Sequence, residues 1–399
     1  MTSKAFVFID GLEPTPVVAG VTEVDDTRGV GRFRYGKSYL ARKDAFALDP
    51  LNLPLSTDEY RTTLGQGLFG VLSDAGADSW GNKVILALHS TKPKNKLEFL
   101  LAGAGMGVGA LVFSLSSSQS KPKYNKNTLG DLPVLFKAKD AILADKAIPQ
   151  EAKKVVEFGA SMGGARPKTT IVDGTTSYLV KFNRPDDLFN VVKVEHATMS
   201  MLSELPCRVA KTKVISGGVG DALLVERFDV VGNKPACHFI SANALLNTKK
   251  VSEALLTTHY TYGQLAEYLR KISAEPTDAN ELYTRMVFNV LIGNTDDHAR
   301  NHAFVFDFPN RQWRLSQAYD VLPINNRRIH SLGLGENGRE GTIDNLLSQS
   351  VRFGLKPFKA RRIVSHVQEL VAQWPAYFRQ HGVGEGDIER LRAVIPTIS

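Results

Sequence analysis

Three polar side chains with a defined spacing stand out in the second half of the chain. Asp296 is followed five positions later by Asn301, and Asp320 comes after a short apolar segment. Phosphoryl transfer from ATP requires one carboxylate that orients the attacking hydroxyl, together with an amide and a second carboxylate that hold Mg²⁺. The order of these residues therefore predicts Asp296 as the catalytic group, with Asn301 and Asp320 as the metal ligands.

A second chemically informative segment is Ser161–Lys168, which contains two consecutive glycines and two cationic residues. Adjacent glycines let the backbone approach phosphate oxygens and present its N–H groups to them. The segment therefore predicts a phosphate-binding loop. Its expected nucleotide contacts are Met162, Gly163, Gly164, Ala165, Arg166, Pro167 and Lys168.

The residues after this loop predict the elements that position a further cation. Thr169–Val172 and Ser177–Phe182 have the composition of two antiparallel strands joined by an Asp-Gly turn. Lys181 lies near the end of the second strand, where a kinase-like N-lobe carries its phosphate-binding lysine. Glu195 lies within the expected helix Val191–Ser203, and an ion pair between Lys181 and Glu195 would follow kinase logic.

Two other elements would bring the catalytic residues together. Tyr283–Ile292 is apolar and predicts a buried helix that delivers Asp296. Val305–Phe308 predicts a strand, with Trp313–Leu315 as its partner. Such a strand pair returns the chain, so that Asp320 can face the loop that carries Asn301.

Composition limits the class of protein. The chain has 399 residues, of which 43% are hydrophobic and 23% charged, as in an ordinary globular protein of two or three domains. Two cysteines in this length argue for a reducing cytosol without a disulfide framework. The net charge of +8 and the isoelectric point near 9.3 favour anionic partners.

No segment predicts a membrane anchor. The uncharged stretch Phe99–Leu115 contains four glycines, which favour a short helix, a turn and a strand over a membrane span. Met1–Lys4 precedes a strand-like stretch and not the apolar core of a signal peptide. We therefore expect a cytoplasmic protein.

At this point the chain resembles a known family, the HipA toxin kinases of bacterial toxin–antitoxin pairs. The resemblance is carried by the motifs Ser161–Lys168, Lys181, Val225–Asp229, Asn294–Asn301 and Tyr319–Pro323. These motifs are weak singly and specific in combination.

The resemblance extends over nearly the whole chain. Phe69–Gly81 resembles the family segment FG-x-L-x-D-x-x-P-D-x-W-G, and Phe99–Ala102 with Val108–Leu111 resembles a later family stretch. Phe353–Leu355 leads into a helix, as in the family. Three residues depart from the pattern: Asp297 at a variable position, Arg300 where lysine is common, and Ala77 where proline is frequent. None of them removes a catalytic group.

The resemblance implies roles for further residues. Glu226–Phe228 would contact adenine through the backbone, His298 would contact the nucleotide or order its loop, and Tyr319 would lie near the nucleotide. The nucleotide contacts implied in this way are Glu226, Arg227, Phe228, His298 and Tyr319. Ser161 would be autophosphorylated, and its added negative charge would repel the ATP phosphates and inactivate the protein.

The family also implies a fold and partners. The fold would be α+β, bilobal and protein-kinase-like, with a β-rich N-terminal subdomain at 1–115, a mixed nucleotide-binding N-lobe at 129–240 and an all-helical C-lobe at 241–399. The cofactors would be ATP and Mg²⁺. The partners would be a small DNA-binding antitoxin, operator DNA through the antitoxin complex, and a protein substrate such as an aminoacyl-tRNA synthetase.

Two other classes of function remain open. Small-molecule kinases of the aminoglycoside or choline type use the same Asp-to-Asn spacing. They typically carry His-Gly-Asp, whereas this chain has Asn294–Asp296, and they would leave residues 1–115 unexplained. A non-catalytic co-repressor scaffold would keep the fold and act through its antitoxin on DNA. Phosphate transfer in vitro separates that scaffold from a kinase.

Overall fold

The computed structural model describes residues 2–103, 107–120, 124–158, 164–218, 220–247, 259–324 and 328–396. Three members of the predicted phosphate loop, Ser161, Met162 and Gly163, lie outside the described residues. Within the described ranges, no helix is long and apolar enough to cross a membrane. The side chains of Cys207 and Cys237 are free thiols.

The N-terminal part is built on a five-stranded antiparallel sheet. Its strands are β1 (Lys4–Ile9), β2 (Val17–Asp25), β3 (Val30–Tyr35), β4 (Tyr60–Thr62) and β5 (Leu111–Ser114). They lie in the order β4-β3-β2-β1-β5. In β3, Phe33 and Tyr35 are buried and Arg34 is exposed, as the alternating faces of a strand require.

Short helices lie between β3 and β5 along the chain. They are α1 (Lys37–Leu40), α2 (Gly70–Asp74), α3 (Ser79–Leu88) and α4 (Lys96–Ala102), with a 3₁₀ turn at Leu64–Gln66. The uncharged stretch Phe99–Leu115 begins in α4 and ends just beyond β5. Its prediction as a helix followed by a strand is confirmed.

The middle part contains a four-stranded sheet. Its strands are β6 (Lys168–Asp173), β7 (Thr176–Phe182), β8 (Thr212–Gly217) and β9 (Gly220–Glu226), in the order β6-β7-β9-β8. Its helices are α5 (Leu132–Leu143), α6 (Lys153–Glu157) and α7 (Val191–Leu202), with 3₁₀ turns at Leu129–Asp131 and Gln150–Ala152. The predicted hairpin is confirmed, because β6 pairs with β7 in antiparallel register around a turn at Gly174.

The C-terminal part combines helices with a small sheet. The strands are β10 (Val230–Val231), β11 (Lys234–Pro235), β12 (Cys237–Ser241), β13 (Ala303–Asp307) and β14 (Gln312–Leu315). The helices are α8 (Ala242–Leu246), α9 (Tyr262–Ile272), α10 (Asp278–Ile292), α11 (Ile343–Ser348), α12 (Pro357–Val371), α13 (Trp374–Gln380) and α14 (Glu385–Leu391), with a 3₁₀ turn at Ser350–Phe353.

The expectation of an all-helical C-lobe needs one correction. β12, β13 and β14 form a three-stranded sheet within this part of the chain, because the predicted hairpin β13–β14 pairs along β12. The predicted boundary at residue 240 therefore falls inside β12. The pairing of β12 with β13 joins the end of the middle part to the strands that follow Asn294–Asn301, the predicted catalytic loop.

Helix α10 places the catalytic loop. All of its residues from Leu282 to Ile292 are buried, as the apolar sequence predicted. Gly293 ends the helix with a left-handed backbone (φ 78°), a conformation that favours glycine because it lacks a Cβ atom. The Asn294 N–H then donates to the Asn289 carbonyl over 2.9 Å. The loop that follows therefore starts from a rigid support.

His238 on β12 predicts how the stability of the fold depends on pH. The ring is buried, and its Nε2–H donates to the Leu48 carbonyl over 2.8 Å. Burial lowers the pKa of His238 to about 4, whereas an unfolded histidine titrates near 6.5. The unfolded chain therefore binds the extra proton, and the free energy of unfolding should fall by about 3 kcal/mol as pH decreases from about 6.5 to about 4.

Denaturant unfolding of the wild type and His238→Phe across this pH window measures the effect. The phenylalanine variant should show a flatter dependence, because it has no titrating ring at this position. Parallel curves for the two proteins would contradict the assignment to His238.

Candidate active site

Lys181 lies at the centre of a buried charge cluster. Its Nζ donates to Glu195 Oε1 of α7 over 2.6 Å and to Asp320 Oδ1 over 2.5 Å. The predicted Lys181–Glu195 ion pair is thus confirmed. Burial alone would lower the pKa of Lys181, but the Asp320 and Glu195 carboxylates outweigh it and raise that pKa above its usual value. The amine is therefore a fixed cation.

A second lysine lies directly across the hairpin. Lys168 on β6 is the register partner of Lys181 on β7, and both are buried. Burial lowers the pKa of Lys168, and the charge of Lys181 lowers it further. Like charges on facing strand positions repel each other, so this arrangement is favourable only beside negative charge. Asp320 and Glu195 supply part of that charge.

Asp320 reaches the cluster from the loop after β14. Its backbone has a left-handed conformation (φ 60°), which is uncommon for a residue other than glycine and is concentrated at functional sites. Partial burial would raise the pKa of its carboxyl, but Lys181 and Lys168 outweigh this effect and hold the pKa well below its usual range. Asp320 is therefore anionic, and 38% of its side chain remains exposed to the cleft.

The catalytic loop alternates exposed and buried residues. Asp296 and His298 are exposed, whereas Asp297 between them is 2% exposed. Partial burial raises the pKa of Asp296, the neighbouring His298 opposes this rise, and Asp320 adds to it. A carboxylate with a raised pKa at an accessible position suits the acceptance of a proton.

Sequence reasoning missed the part played by Asp297. Its Oδ2 accepts hydrogen bonds from the Tyr262 hydroxyl and from His302 Nε2, the latter over 2.9 Å. Tyr262 in turn accepts from Asn289 Nδ2 of α10 over 3.0 Å. These hydrogen bonds attach Asp297, the residue between Asp296 and His298, to α9 through Tyr262 and to α10 through Asn289. The sequence offered one signal, which was the presence of a second aspartate beside Asp296. Aspartates are rarely buried without partners, so a buried Asp297 implies hydrogen-bond donors around it.

Removal of the Asp297 carboxylate should loosen the loop. In Asp297→Ala the buried donors of Tyr262 and His302 lose their acceptor, which should reduce the free energy of unfolding by about 2 kcal/mol. We expect phosphate transfer to slow by about tenfold or more because the neighbouring carboxylate is misplaced. Asp297→Asn keeps one acceptor oxygen and should lie between the two. Thermal unfolding and single-turnover rates measure both effects, and a destabilised variant with an unchanged rate would contradict a role in the reaction.

Asn301 is the residue that the sequence predicted as an amide ligand of the metal. It is 8% exposed, and its N–H donates to the His298 carbonyl over 2.8 Å. Its side chain makes no hydrogen bond to any residue that the structure describes. An amide and a carboxylate oxygen fit Mg²⁺, which is bound in kinases by one or two such groups together with phosphates and water. Asn301 and Asp320 therefore suit the metal role that the sequence predicted.

Only some of the described residues of the predicted phosphate loop lie beside the charge cluster. Arg166 forms a bidentate ion pair with Asp187, with hydrogen bonds of 2.7 and 3.0 Å. Ala165 is exposed, and the Pro167 carbonyl accepts from the Phe182 N–H over 3.2 Å. Lys168 is the residue of this segment that the structure brings beside Lys181. Asp187 uses one N–H on each terminal nitrogen of Arg166, so other N–H groups of the guanidinium remain for the nucleotide contact, which stays a prediction.

The backbone and the side chains at the end of β9 and just after it have different partners. The Glu226 N–H donates to the Lys211 carbonyl and the Arg227 N–H donates to the Ser177 carbonyl, so both backbone N–H groups are used within the sheet. The Arg227 guanidinium pairs with Asp229 and donates to the Gly107 carbonyl over 2.8 Å. The side chain of Arg227 therefore joins this segment to the N-terminal part, and its contact with adenine, which was predicted through the backbone, stays a prediction.

An apolar surface lies beside that segment. The rings of Phe228 and Tyr319 are 6.0 Å apart and pack against a cluster formed by β12 and β13. The buried members of the cluster are Cys237, Phe239, Ala303 and Val305. The Tyr319 hydroxyl donates to the Arg300 carbonyl over 2.8 Å, which orients the ring. Two aromatic rings above an apolar floor suit a flat heterocycle such as adenine.

The fold is a bilobal, kinase-like one, with the charge cluster between a sheet-containing lobe and a mainly helical lobe. Residues 160–374 match the family model of the HipA-like C-terminal domain, and residues 17–114 match that of the HipA N-terminal domain. The chain belongs to the HipA family.

Two solved structures were compared with this chain. The structure of the HipA toxin of Shewanella oneidensis, solved with HipB and operator DNA, covers 96% of this chain and 94% of its own, with a TM-score of 0.68 and 16% identity. The proinflammatory kinase CtkA of Helicobacter pylori covers 57% of this chain and 94% of its own, with a TM-score of 0.37 and 14% identity.

A curated relative, named a putative kinase of Haemophilus influenzae, is 24% identical over 185 residues. The alignment covers 42% of this chain and 53% of the relative, so the chain spans about half of the relative's length.

Proposed function

We propose that this chain is an ATP-dependent protein kinase that uses Mg²⁺ and phosphorylates serine or threonine hydroxyls. The observation that carries the proposal is the pair of buried lysines on facing strands, Lys168 and Lys181, with the Asp320 carboxylate at their amines. Two lysines at facing strand positions need negative charge beside them. A triphosphate would supply part of the negative charge that the carboxylates provide without it.

Each group has a definite task in this proposal. Lys181 and Lys168 bind phosphate oxygens, and Glu195 holds Lys181 at the end of β7. Asp296 orients the attacking hydroxyl and accepts its proton. Mg²⁺, when bound by Asn301 and Asp320, neutralises charge on the transferring phosphoryl group.

The remaining predicted contacts complete the nucleotide site. The proposal places adenine against Phe228 and Tyr319, with the Glu226 carbonyl as the acceptor on the hinge. His298 lies on the same exposed side of the loop as Asp296, so it can face a phosphate. Met162 and Gly163 would supply backbone N–H groups to the phosphates, and Gly164, whose N–H donates to Asp78, would let the backbone approach them closely.

The same proposal covers the biological role. We propose that the kinase is the toxin of a toxin–antitoxin pair, and that its partners are a small DNA-binding antitoxin and, through it, operator DNA. Support comes from the family and from the similar Shewanella protein, which was solved with HipB and operator DNA. The proposed target is a translation component such as an aminoacyl-tRNA synthetase. Autophosphorylation of Ser161 would inactivate the kinase by charge repulsion.

Incubation with Mg-ATP, followed by intact-mass measurement and peptide mapping, tests the kinase proposal. We expect added phosphate on the wild type, with Ser161 as the modified residue. Chelation of the metal and the Asp320→Asn substitution should each prevent the modification. A chain that binds no ATP under these conditions would refute the proposal, whereas phosphate on a different residue would refute only the role of Ser161.

A further inference from the structure

The residues that begin α3 contact the described end of the phosphate loop. Asp78 precedes the helix, and its Oδ1 accepts a hydrogen bond from the Gly164 N–H. The Trp80 N–H donates to the Gly164 carbonyl over 3.1 Å. Both polar groups of the Gly164 backbone are therefore bound by residues of the N-terminal part.

A third hydrogen bond holds the other end of this segment. The indole Nε1–H of Trp80 donates to the Lys168 carbonyl over 2.9 Å, and the ring is 4% exposed. Gly164 has a φ of +104°, and a Cβ atom there would lie 2.1 Å from Lys168 Nζ. The loop thus folds back closely on the lysine, and α3 fixes the backbone on both sides of that fold.

Asp78 does not perform the usual task of an aspartate in its position. An aspartate before a helix normally accepts a hydrogen bond from an N–H of its own first turn. Asp78 makes no such bond to α3. Its second oxygen lies 3.7 Å from Nη1 of Arg300, in the catalytic loop. One carboxylate therefore links the phosphate loop to the loop that carries Asp296 and Asn301.

We propose that Asp78 and Trp80 are positioning residues for nucleotide binding, which the N-terminal part supplies to the kinase site. They hold Gly164–Lys168 in place against the catalytic loop before the nucleotide arrives. A loop without this support would have to be ordered on binding, and the entropic cost would weaken the affinity for ATP. The inference rests on the proposed kinase function and makes α3 a part of the active site.

Three substitutions in the full-length chain test the inference through steady-state kinetics. Asp78→Ala removes the acceptor, and KM for ATP should rise about tenfold. Asp78→Asn keeps an oxygen that can accept from Gly164 but loses the charge beside Arg300, so its KM should lie between those of the wild type and the alanine variant. Trp80→Phe keeps the backbone donor and most of the packing, and should raise KM about threefold. In all three variants kcat should stay within about twofold of the wild-type value.

A matched control is Asp131→Ala, which removes a carboxylate from another helix start. Asp131 Oδ2 accepts from the Thr128 N–H over 2.7 Å and lies outside the loops named here. This variant should keep the wild-type KM for ATP. An unchanged or lower KM in Asp78→Ala would overturn the inference, because it would show that the carboxylate does not assist nucleotide binding.

Hydrogen exchange separates this inference from the kinase proposal. In the wild type without nucleotide, the Gly164 N–H should exchange slowly, and Asp78→Ala should accelerate it while the Asp131→Ala control should not. If the wild type neither binds ATP nor transfers phosphate, the kinase proposal fails whatever the exchange shows. If exchange at Gly164 is the same in the wild type and Asp78→Ala, the positioning role fails whatever the activity.

Discussion

Replacement of Asp296 by asparagine is expected to slow phosphate transfer by about a thousandfold and to leave the affinity for ATP nearly unchanged. The amide has the shape of the carboxylate but accepts no proton from the attacking hydroxyl. Asp296 is exposed and ties no other element of the described structure together, so the substitution should not unfold the chain. A direct binding measurement with a non-hydrolysable nucleotide and a single-turnover assay separate the two quantities.

The pH dependence of the wild type provides a second measure of the same carboxylate. Asp296 must be ionised to accept a proton, so the rate should be lost as pH falls through its pKa. Partial burial and Asp320 raise that pKa against the opposing effect of His298, so the acidic limb should lie above the ordinary aspartate range near 3.8. Asp307→Asn, a substitution at the far end of β13, is the matched control and should keep the wild-type rate. An Asp296→Asn protein that transfers phosphate as fast as this control would contradict the catalytic assignment.

Replacement of Lys181 by methionine is expected to abolish ATP binding and to reduce the stability of the fold. Glu195 is 2% exposed and would remain buried without its cation. Loss of one partner from a buried ion pair reduces the free energy of unfolding by about 3 kcal/mol or more. The phosphates would also lose a fixed cation, and Asp320 would lose one of the two lysines that lower its pKa. Thermal unfolding and nucleotide titration measure the two losses.

A double substitution separates these two effects of Lys181. Lys181→Met combined with Glu195→Gln removes the unpaired buried charge, so most of the stability should return while ATP binding should not. Lys213→Met is the matched single control, because Lys213 is a half-exposed lysine that pairs with Asp173 over 3.2 Å in the same sheet. Recovery of ATP binding together with stability in the double variant would contradict a direct role of Lys181 at the phosphates.

The elements around the cleft could be predicted because their signals are local. The hairpin β6–β7 was indicated by strand-like composition on either side of an Asp-Gly turn, and α10 by its largely apolar sequence. The pairing of Lys181 with Glu195 needed only the additional assumption that the following helix packs behind the strand. The third strand of the C-terminal sheet was missed, because β12 lies 60 or more positions from its partner β13 and no local pattern reports such a pairing.

The side-chain partners inside the site show where sequence reasoning stops. Arg166 was predicted to contact the nucleotide, and nothing in the sequence indicated that Asp187 would engage both of its terminal nitrogens. Arg227 was predicted to contact adenine through its backbone, and nothing in the sequence indicated that its guanidinium would be bound by Asp229 and the Gly107 carbonyl. In both cases a cation had the right type and position along the chain. Its partner was fixed by how the elements pack.

The sequence by itself indicated the chemistry that we propose for this protein, because Lys181, Asp296, Asn301 and Asp320 are defined by residue type and spacing. It also determined the family, since these motifs occur together in one order. Only the tertiary structure decided that Asp297 anchors the catalytic loop and that Asp78, 86 positions before Gly164, holds the phosphate loop. The physical reason is that periodicity and turn chemistry act over a few residues, whereas a buried carboxylate finds its donors among whichever elements packing brings to it.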